Sequence, residues 1–567
     1  MEAKQQYNKN RRRSMLQLLL VIAIVVLLNI LLSSFFYRID LTEEKRYSLS
    51  EPTKDLLEQT DDIVYIKIYL DGDLTPNLKK LQQSTVEIIN QFRNYGKDNI
   101  QYEIINPFEQ ADEQNLGKYL KDLELEGVYS IPFGETQKEQ SSRSFLFPYA
   151  TITYHDRAMS VSLLDQLQPL SPMYDASVAI SLLEYKFTKG IRLLTTDVKP
   201  KIAFIEGHNE LDTMEVQDIA ISLNELYEVF RYDLPNSDFI DTTYKTIIVA
   251  KPRNTFSDAD KYKIDQYIMY GGSVLWLIDP VMAEFDSLRN GGEFMTYDYP
   301  LNIMDQLIQY GARINNNIIQ DKQATKIKVP YANTFNDRPW IYNPVLTNFN
   351  KQSPIVKNVD AIEGKFVSTV DTTQVPGITK TVLISTSNLS RYLTNPARIS
   401  YNVVQYVPTD TQMNKPNLPV AILLEGKFPS AFKARQQTAR EMMQNRIGNG
   451  IFKEESVGAK QIFIGDGDMI RNYVDAKGQI YPLGANNVEQ YVFGNKDFLM
   501  NCIEYLCDNT GMMETRAKEI KLRPINEAAA NENRIQWQLI NIAAPVILIY
   551  LFSGIYNYIR SRKYTTD

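Results

Sequence analysis

The segment Glu206-Gly-His208-Asn209-Glu210 places one histidine between two glutamates, directly after an apolar run that predicts a strand. A histidine beside carboxylates can transfer protons or contribute to a metal site. A zinc site needs three or four protein ligands, and the other of the chain's two histidines, His155, lies in a predicted hairpin turn. We therefore predict no catalytic and no metal-binding residue here. The interpretations left open are a hydrogen-bonded turn and a contact for a ligand or partner, made by Glu206, His208, Asn209 and Glu210.

Three aspartates also follow predicted strands. Asp466 and Asp468 lie in the motif G-D-G-D, and Asp279 directly precedes Pro280. Paired carboxylates can bind Ca²⁺ or Mg²⁺, but an EF-hand loop needs a third ligand and a terminal glutamate, which this motif lacks. Aspartates in a glycine turn more often cap backbone N–H groups. Because open α/β sheets bind ligands beyond the carboxyl ends of their strands, all three aspartates are retained as candidate contacts.

Motifs for nucleotide binding and nucleophilic catalysis do not occur in the sequence. It contains no G-x-x-x-x-G-K-[ST] loop for phosphates and no G-x-S-x-G elbow for a catalytic serine. The two cysteines, Cys502 and Cys507, lie on a predicted helix, where positions five apart point about 140° away from each other. A disulfide between them is therefore implausible. The sequence predicts a protein that is not an enzyme and that uses no cofactor.

Both ends of the chain are apolar. Met15 to Phe36 and Trp537 to Tyr558 each reach the roughly 20 residues that a helix needs to cross a bilayer. Basic clusters, Lys9 to Arg13 and Arg560 to Lys563, lie on the outer side of each segment, and cytoplasmic flanks are rich in such residues. We predict two transmembrane helices, both termini in the cytoplasm and the bulk of the chain outside. A cleaved signal peptide and a buried C-terminal helix are the respective alternatives.

The composition is that of an ordinary globular protein. Hydrophobic residues make up 44% of the 567 residues, and the formal net charge is -7. A nucleic-acid-binding protein normally presents a basic face, so this balance argues against nucleic acid as a partner.

Strand and helix patterns alternate between the apolar ends. A β-α-β pattern over 63–105 predicts a first α/β domain. A second unit begins near Lys201 with predicted strands at Ile202–Glu206, Thr246–Ala250 and Val274–Ile278, separated by predicted helices at Met214–Val229 and Ala259–Tyr270. Such alternation predicts a parallel sheet with right-handed crossovers. Late strands at Pro419–Leu424 and Gln461–Ile464 are predicted to complete this sheet, with the β-rich segment between them as an insertion.

These patterns set the predicted boundaries. They are a cytoplasmic basic tail (1–14), a transmembrane helix (15–36), a membrane-proximal α/β domain (37–195), a central α/β domain (196–315 and 416–510), a β-rich insertion (316–415), a linker (511–536), a transmembrane helix (537–558) and a second basic tail (559–567).

Several segments together resemble a known family. They are L-T-E-E-K-R-Y-S-L-S, F-I-E-G-H-N-E, A-K-P-R, Y-I-M-Y-G-G-S-V-L-W-L-I-D-P and G-D-G-D-M-I. In this order they resemble the GldG family, the auxiliary, putative substrate-binding component of the ABC transporter linked to gliding motility in Bacteroidota. The resemblance covers nearly the whole chain, although the family's usual G-H-G-E is G-H-N-E here because of Asn209.

The resemblance implies a fold, partners and a compartment. The central domain would resemble the doubly wound class I glutamine-amidotransferase fold without its chemistry. The partners would be an ABC permease subunit and a cytoplasmic ATPase subunit, and the location would be the inner membrane with a large periplasmic part. The alternatives are a periplasmic hydrolase that uses His208 and its neighbouring carboxylates, and a structural scaffold of the gliding or secretion machinery.

Overall fold

A computed structural model describes residues 48–110, 113–133, 144–164, 176–196, 198–288, 291–331, 334–448, 450–475, 477–517 and 534–564, with scattered positions between 15 and 27. The chain divides into two compact units, Met1–Glu519 and Ile520–Asp567. Most of the predicted N-terminal membrane helix, Met15 to Phe36, lies outside the described residues.

The described elements alternate as an α/β protein. The helices are α1 (Glu51–Gln59), α2 (Pro76–Gly96), α3 (Glu113–Leu125), α4 (Ser177–Thr195), α5 (Gln217–Leu226), α6 (Asp258–Met269), α7 (Met304–Tyr310), α8 (Gln436–Gln444), α9 (Asn495–Cys507) and α10 (Arg534–Tyr564). The strands are β1 (Val64–Ile68), β2 (Ile100–Ile104), β3 (Ile131–Phe133), β4 (Ser144–Leu146), β5 (Tyr149–Tyr154), β6 (Arg157–Ser162), β7 (Lys201–Glu206), β8 (Glu228–Asp233), β9 (Tyr244–Ala250), β10 (Ser273–Leu277), β11 (Val281–Met282), β12 (Glu293–Met295), β13 (Tyr297–Asp298), β14 (Ala312–Ile314), β15 (Asn317–Asp321), β16 (Ala324–Tyr331), β17 (Thr334–Leu346), β18 (Asn348–Phe349), β19 (Ile362–Glu363), β20 (Val370–Thr372), β21 (Ile378–Ser385), β22 (Ser390–Thr394), β23 (Arg398–Ser400), β24 (Pro419–Gly426), β25 (Ala459–Ile464), β26 (Ala485–Asn486) and β27 (Tyr491–Val492).

The first sheet has the order β2-β1-β5-β6. Strand β1 pairs in parallel with β2 and antiparallel with β5, and β5 and β6 form the hairpin predicted around His155. The alternate residues Val64, Ile66 and Ile68 are fully buried. Helix α4 packs so closely that a Cβ at Gly190 would lie 2.6 Å from Ile152 Cδ1. This glycine lets the helix axis approach the sheet.

Helix α4 also joins this sheet to the rest of the unit. Its Tyr185 hydroxyl donates to Glu504 Oε1 on α9 at 2.5 Å, and Lys189 Nζ donates to Glu504 Oε2 at 2.6 Å. Glu184 accepts from the Ser50 N–H at 2.7 Å, where the chain enters α1. The guanidinium of Arg516, near the last described residue of the unit, lies 5.0 Å from the Tyr185 ring. Both described ends of the unit therefore contact one helix at adjacent positions.

The second sheet is larger and mixed. Its strand order is β18-β21-β24-β25-β10-β9-β7-β8. The pairs from β25 to β8 are parallel, and those from β18 to β25 are antiparallel. The prediction that the late strands complete the sheet is confirmed by the pairing of β25 with β10. Strands β18 and β21, from the range predicted as an insertion, also belong to this sheet, so the sheet is not purely parallel.

The helix predicted over Met214–Val229 is wrong at its end. Helix α5 stops at Leu226, and β8 begins at Glu228. Tyr227 adopts an extended backbone, and the Glu228 N–H donates to the Pro200 carbonyl at 3.0 Å. Apolar residues at Tyr227 and Val229 continue the helical spacing, but pairing with β7 satisfies this backbone as an edge strand.

Helix α10 forms most of the described part of the second unit. Over the residues that the structure describes, one helix is long and apolar enough to cross a membrane, at Gln536–Arg562 with a mean hydropathy of 2.0. It contains the predicted segment Trp537 to Tyr558 and could anchor the chain in a membrane.

Candidate functional site

Four strands of the large sheet end side by side at one edge. Strands β7, β9, β10 and β25 are parallel neighbours, so the residues that follow them meet at their carboxyl ends. These residues include Asp279, Asp466 and Asp468, as predicted, together with Lys251, which the sequence analysis contained only within the segment A-K-P-R. The edge is therefore the part of the fold where the sequence placed its candidate contacts.

Lys251 lies at the centre of this group, which we call the Lys251 cluster and define as Lys251, Asp279, Glu284, Asp466 and Asp468. The lysine side chain is fully buried. Its Nζ atom lies 2.6 Å from Asp468 Oδ2, 3.2 Å from Asp279 Oδ2 and 3.0 Å from Glu284 Oε1. A buried ammonium group has three N–H donors, and three carboxylates surround it here.

Asp466 completes the cluster through the backbone. Its Oδ2 accepts from the Lys365 N–H at 2.9 Å, and its Oδ1 accepts from the Asp468 N–H at 2.9 Å. Asp279 Oδ1 accepts from the Gly467 N–H at 2.6 Å. The prediction that these aspartates cap backbone N–H groups therefore fits Asp466, in G-D-G-D, and Asp279, before Pro280. Asp468 instead pairs with cations.

Burial and charge give the three aspartates different acidities. Burial raises the pKa of Asp279 to about 6, although the nearby lysine opposes this shift. Burial and the neighbouring carboxylates hold the pKa of Asp466 well above its usual range. Burial also acts on Asp468, but the charges of Lys251 and Arg471 outweigh it and lower the pKa. Asp468 is thus the principal counter-charge of Lys251.

Close backbone contacts hold the lysine in place. Lys251 has a φ of 54°, a left-handed conformation that is uncommon for a residue with a long side chain. A Cβ at Gly467 would lie 2.7 Å from Lys251 Cβ and 3.1 Å from its Cα. Only glycine leaves room for the G-D-G-D turn to pass over the lysine. The strained backbone of Lys251 and the glycine at position 467 are thus in direct contact.

A lysine occupies the position that a metal ion would need. Among the described residues, no group of three or more His, Cys, Asp and Glu side chains has the geometry for a metal ion. Of the two aspartates that could have bound Ca²⁺ or Mg²⁺, Asp468 faces the Lys251 ammonium group and Asp466 accepts from backbone N–H groups. The arrangement pairs a buried cation with buried carboxylates.

Arg471 covers the outer side of the Lys251 cluster. It lies 3.3 Å from Asp468, 3.6 Å from Glu284 and 2.6 Å from Glu215. Its side chain is 37% exposed, so it separates the buried lysine from solvent. Arg471 belongs to no recognised motif in the sequence. Only its position three residues after Asp468 could have indicated the contact between these two side chains.

His208 forms a separate buried group with Glu210 and Asp260. Its Nδ1 lies 3.3 Å from Glu210 Oε1, its Nε2 lies 3.4 Å from Asp260 Oδ2, and its ring stacks on Phe256 at 3.7 Å between centroids. Glu210 Oε2 also accepts from the His208 N–H at 2.7 Å. These contacts fit the predicted hydrogen-bonded turn.

The histidine is almost fully buried, at 2% exposure. Burial lowers the pKa of His208, but its hydrogen bonds to the Asp260 and Glu210 carboxylates outweigh burial and raise the pKa overall. The carboxyl group of Asp260 has a lowered pKa because His208, Ser257 and Lys263 outweigh its burial. The imidazole is thus held between two acids and away from solvent.

Of the two glutamates that the sequence places beside His208, the structure brings only Glu210 into contact with it. Glu206 pairs with Arg231 of β8 rather than with the histidine. Asn209 has a φ of 58°, which asparagine tolerates better than most residues, and this explains how it can stand where the resembling family has glycine. The contact between Asp260 and His208 was not predicted, because Asp260 lies far along the chain on α6. The sequence showed it only as a residue in the first turn of that helix.

The two cysteines lie on α9 as predicted, and both are free. Burial raises the pKa of the Cys507 thiol to about 12 and that of Cys502 well above its usual value. Both thiols are therefore protonated at neutral pH, which makes them poor nucleophiles.

Comparisons with known proteins match most of the chain. Residues 199–502 match a family described as an ABC-type uncharacterized transport system, and residues 43–153 match a domain of unknown function, DUF7088. An uncharacterized protein of Borreliella burgdorferi is 23% identical over 412 residues, covering 71% of this chain and 75% of that protein.

Likeness to solved structures is slight. The mmIFT52 N-terminal domain aligns with a TM-score of 0.30 and 15% identity over 54% of this chain and 96% of that one. The exo-beta-1,4-mannosidase Op5Man5 from Opitutaceae bacterium strain TAV5 aligns with a TM-score of 0.18 and 9% identity, over 69% of this chain and 45% of that one. Neither likeness carries an argument about fold or function. The family match to residues 199–502 spans more than half of the chain and contains both buried polar groups, and the chain therefore belongs to the auxiliary family of ABC-type uncharacterized transport systems.

Proposed function

We propose that this chain is a non-enzymatic, membrane-anchored accessory subunit of an ABC transporter. It would act with a permease subunit and a cytoplasmic ATPase subunit in the inner membrane. Both termini would lie in the cytoplasm, and the unit that contains the two sheets would lie in the periplasm.

Family membership carries the transport role, because the match covers the large sheet and its polar edge. The apolar helix at Gln536–Arg562 supports attachment to a membrane. The basic residues beyond both apolar segments support the proposed orientation.

The position of the chain ends supports attachment through both apolar segments. Ser50 and Arg516 contact adjacent residues of α4, Glu184 and Tyr185. A soluble unit held at one membrane surface by two helices needs its two ends on the same side. The ends of this unit meet that requirement.

The chemistry of the sheet edge supports a role without catalysis. Lys251 and His208 are the groups most suited to proton transfer, and both are buried in contact with carboxylates that accept their hydrogen bonds. A hydrolase would need one of them to reach a substrate. The resemblance to the GldG family further supports gliding motility as the process that this transporter serves.

Purification of the tagged full chain from its own cells in mild detergent tests the proposal. We expect an ABC permease and an ATPase with a phosphate-binding loop to co-purify in fixed proportion. Recovery of the chain without either subunit would contradict the proposal.

Two genetic controls separate the alternatives. Deletion of the ATPase gene should abolish the function of a transport subunit, whereas a structural scaffold would keep its function. His208→Ala should leave function intact if complex assembly is intact, whereas a hydrolase would lose function while still assembling.

A further inference from the structure

An exposed apolar group lies at one end of the four-stranded sheet. We call it the aromatic tip and define it as Ile104, Phe108, Tyr129 and Phe145, which are 43%, 40%, 55% and 48% exposed. The Phe108 ring lies 5.7 Å from the buried Phe147 ring, and the Tyr129 ring lies 6.1 Å from that of Tyr149. Three aromatic side chains thus surround one short stretch of buried chain. Exposed apolar groups of this kind mark contact surfaces.

The strand register fixes which end of the sheet this is. Ile68, the last residue of β1, pairs with Ile104 of β2 and with Ala150 of β5. The opposite end of the sheet is marked by Val64, which pairs with Tyr154. The aromatic tip therefore lies where β1 and β2 end and β5 begins.

Helix α4 points its N-terminal half toward the same end. Arg157 Nη1, at the start of β6, donates to the carbonyl of Thr196 at 3.1 Å, just beyond the end of α4. Gly190 lies midway, against Ile152. With about 1.5 Å of rise per helical residue and about 3.3 Å per strand residue, Tyr185 comes level with the strand ends at Ile104.

The two described ends of this unit, near Ser50 and Arg516, also lie toward this end of the sheet. Helix α1 runs parallel to α4, because Ser50 contacts Glu184 and Thr53 contacts Thr188. The segment after α9 runs the opposite way, since Thr510 contacts Arg192 and Arg516 lies over Tyr185. Toward Ser50 and toward Arg516, the described parts of both segments therefore point to the end of the sheet that carries the aromatic tip.

We propose that the aromatic tip inserts into the lipid surface of the membrane that anchors the chain. This inference rests on the proposed function, which puts a membrane beyond both chain ends. The eleven residues between Phe36 and Ser48 can span at most about 40 Å, which limits how far Ser48 can lie from that surface. Phenylalanine and tyrosine are the residues that bind at the boundary between headgroups and acyl chains.

The charges beside the tip identify the kind of surface. Glu103 and Glu109 flank Ile104 and Phe108, and both glutamates are exposed. Acidic neighbours repel anionic lipid, so the contact depends on apolar burial rather than on attraction to a charged membrane. Binding should persist without anionic lipid.

A photoreactive side chain tests the contact directly. Phe145→p-benzoylphenylalanine in the full chain, reconstituted without partners in phosphatidylethanolamine–phosphatidylcholine nanodiscs, should yield a lipid adduct by mass spectrometry. Ile63→p-benzoylphenylalanine is the matched control, because Ile63 is 46% exposed at the opposite end of the same sheet. We expect several-fold more lipid adduct at position 145 than at 63.

The outcomes separate this inference from the proposed function. Equal adduct at the two positions, with the chain retained in carbonate-washed membranes, overturns the inference and leaves the anchored subunit standing. Loss of the chain from washed membranes overturns both. If the same variant in native membranes crosslinks to a protein instead of to lipid, the tip is a subunit contact, and the lipid inference fails.

Discussion

The Lys251 cluster and the His208 group occupy the same edge of one sheet, yet their construction differs. His208 takes one partner, Glu210, from its own turn and one, Asp260, from the start of α6, the helix that follows β9. Lys251 takes its partners from segments that follow β10 and β25, which are neighbours only after the sheet has formed. The first group holds its turn against the start of the helix that follows β9, whereas the second joins the segments that follow three neighbouring strands, β9, β10 and β25. Equally buried polar groups can therefore differ in how much of the fold depends on them.

The largest expected difference in stability is between variants that replace the buried lysines Lys251 and Lys263. Lys251→Met leaves Asp279 without its cation and leaves Asp468 with Arg471 alone, which should cost about 3–5 kcal/mol of stability. Lys263→Met is the matched control, because Lys263 is also buried but has only one carboxylate partner, Asp260, beside the backbone carbonyls of Leu234 and Pro235. Its loss should cost about 1–3 kcal/mol. Thermal unfolding midpoints in detergent measure both, and equal losses would remove the distinction between the two groups.

The two groups should change the stability of the protein over different pH ranges. The folded pKa of Asp279 is about 6, above its ordinary value of 3.8, so its contribution is fully present below about pH 4. It is lost as the pH rises to about 6, by at most about 3 kcal/mol. Asp279→Asn should flatten the unfolding midpoint over this interval, at the cost of its contact with Lys251. A variant that keeps the full slope would show that another group titrates.

Gly467→Ala tests the close approach over Lys251. The added methyl group would meet the lysine Cβ and Cα atoms, neither of which can move without disturbing the cluster. We expect a loss of about 1–3 kcal/mol. Gly117→Ala is the control, because a Cβ there meets nothing within 4 Å and should stabilise helix α3 by about 0.5–1 kcal/mol. Unfolding midpoints that change alike in both variants would contradict the packing argument.

His208→Gln should have the smallest effect, about 1 kcal/mol, because an amide can keep one of the two hydrogen bonds. The raised pKa of His208 means that its charged form adds stability below about pH 6.5, and that this stability is lost as the pH rises. The wild-type unfolding midpoint should therefore fall more between pH 5.5 and 8.5 than that of the variant. Parallel curves would mean that the histidine stays neutral.

Strand patterns and turn residues predicted much of this fold, including the placement of Asp279, Asp466 and Asp468 after strands. The lysine that joins them was not predicted, because its partners depend on the order β25-β10-β9, which spacing along the chain does not encode. The partner of His208 on α6 was missed for the same reason. The end of α5 was mispredicted because apolar spacing continued into β8, whose edge pairing is a tertiary effect.

Helix α4 brings the two described ends of the first compact unit close to each other. Its Glu184 and Tyr185 hold the two points where the described chain begins and ends, so a short peptide could join residue 517 to residue 48. The chain could then be opened at the exposed His155–Asp156 turn, giving a circular permutant. Such a permutant would have no connection to either apolar segment while keeping every contact of α4. The two apolar segments would then be separable from the folded unit between them.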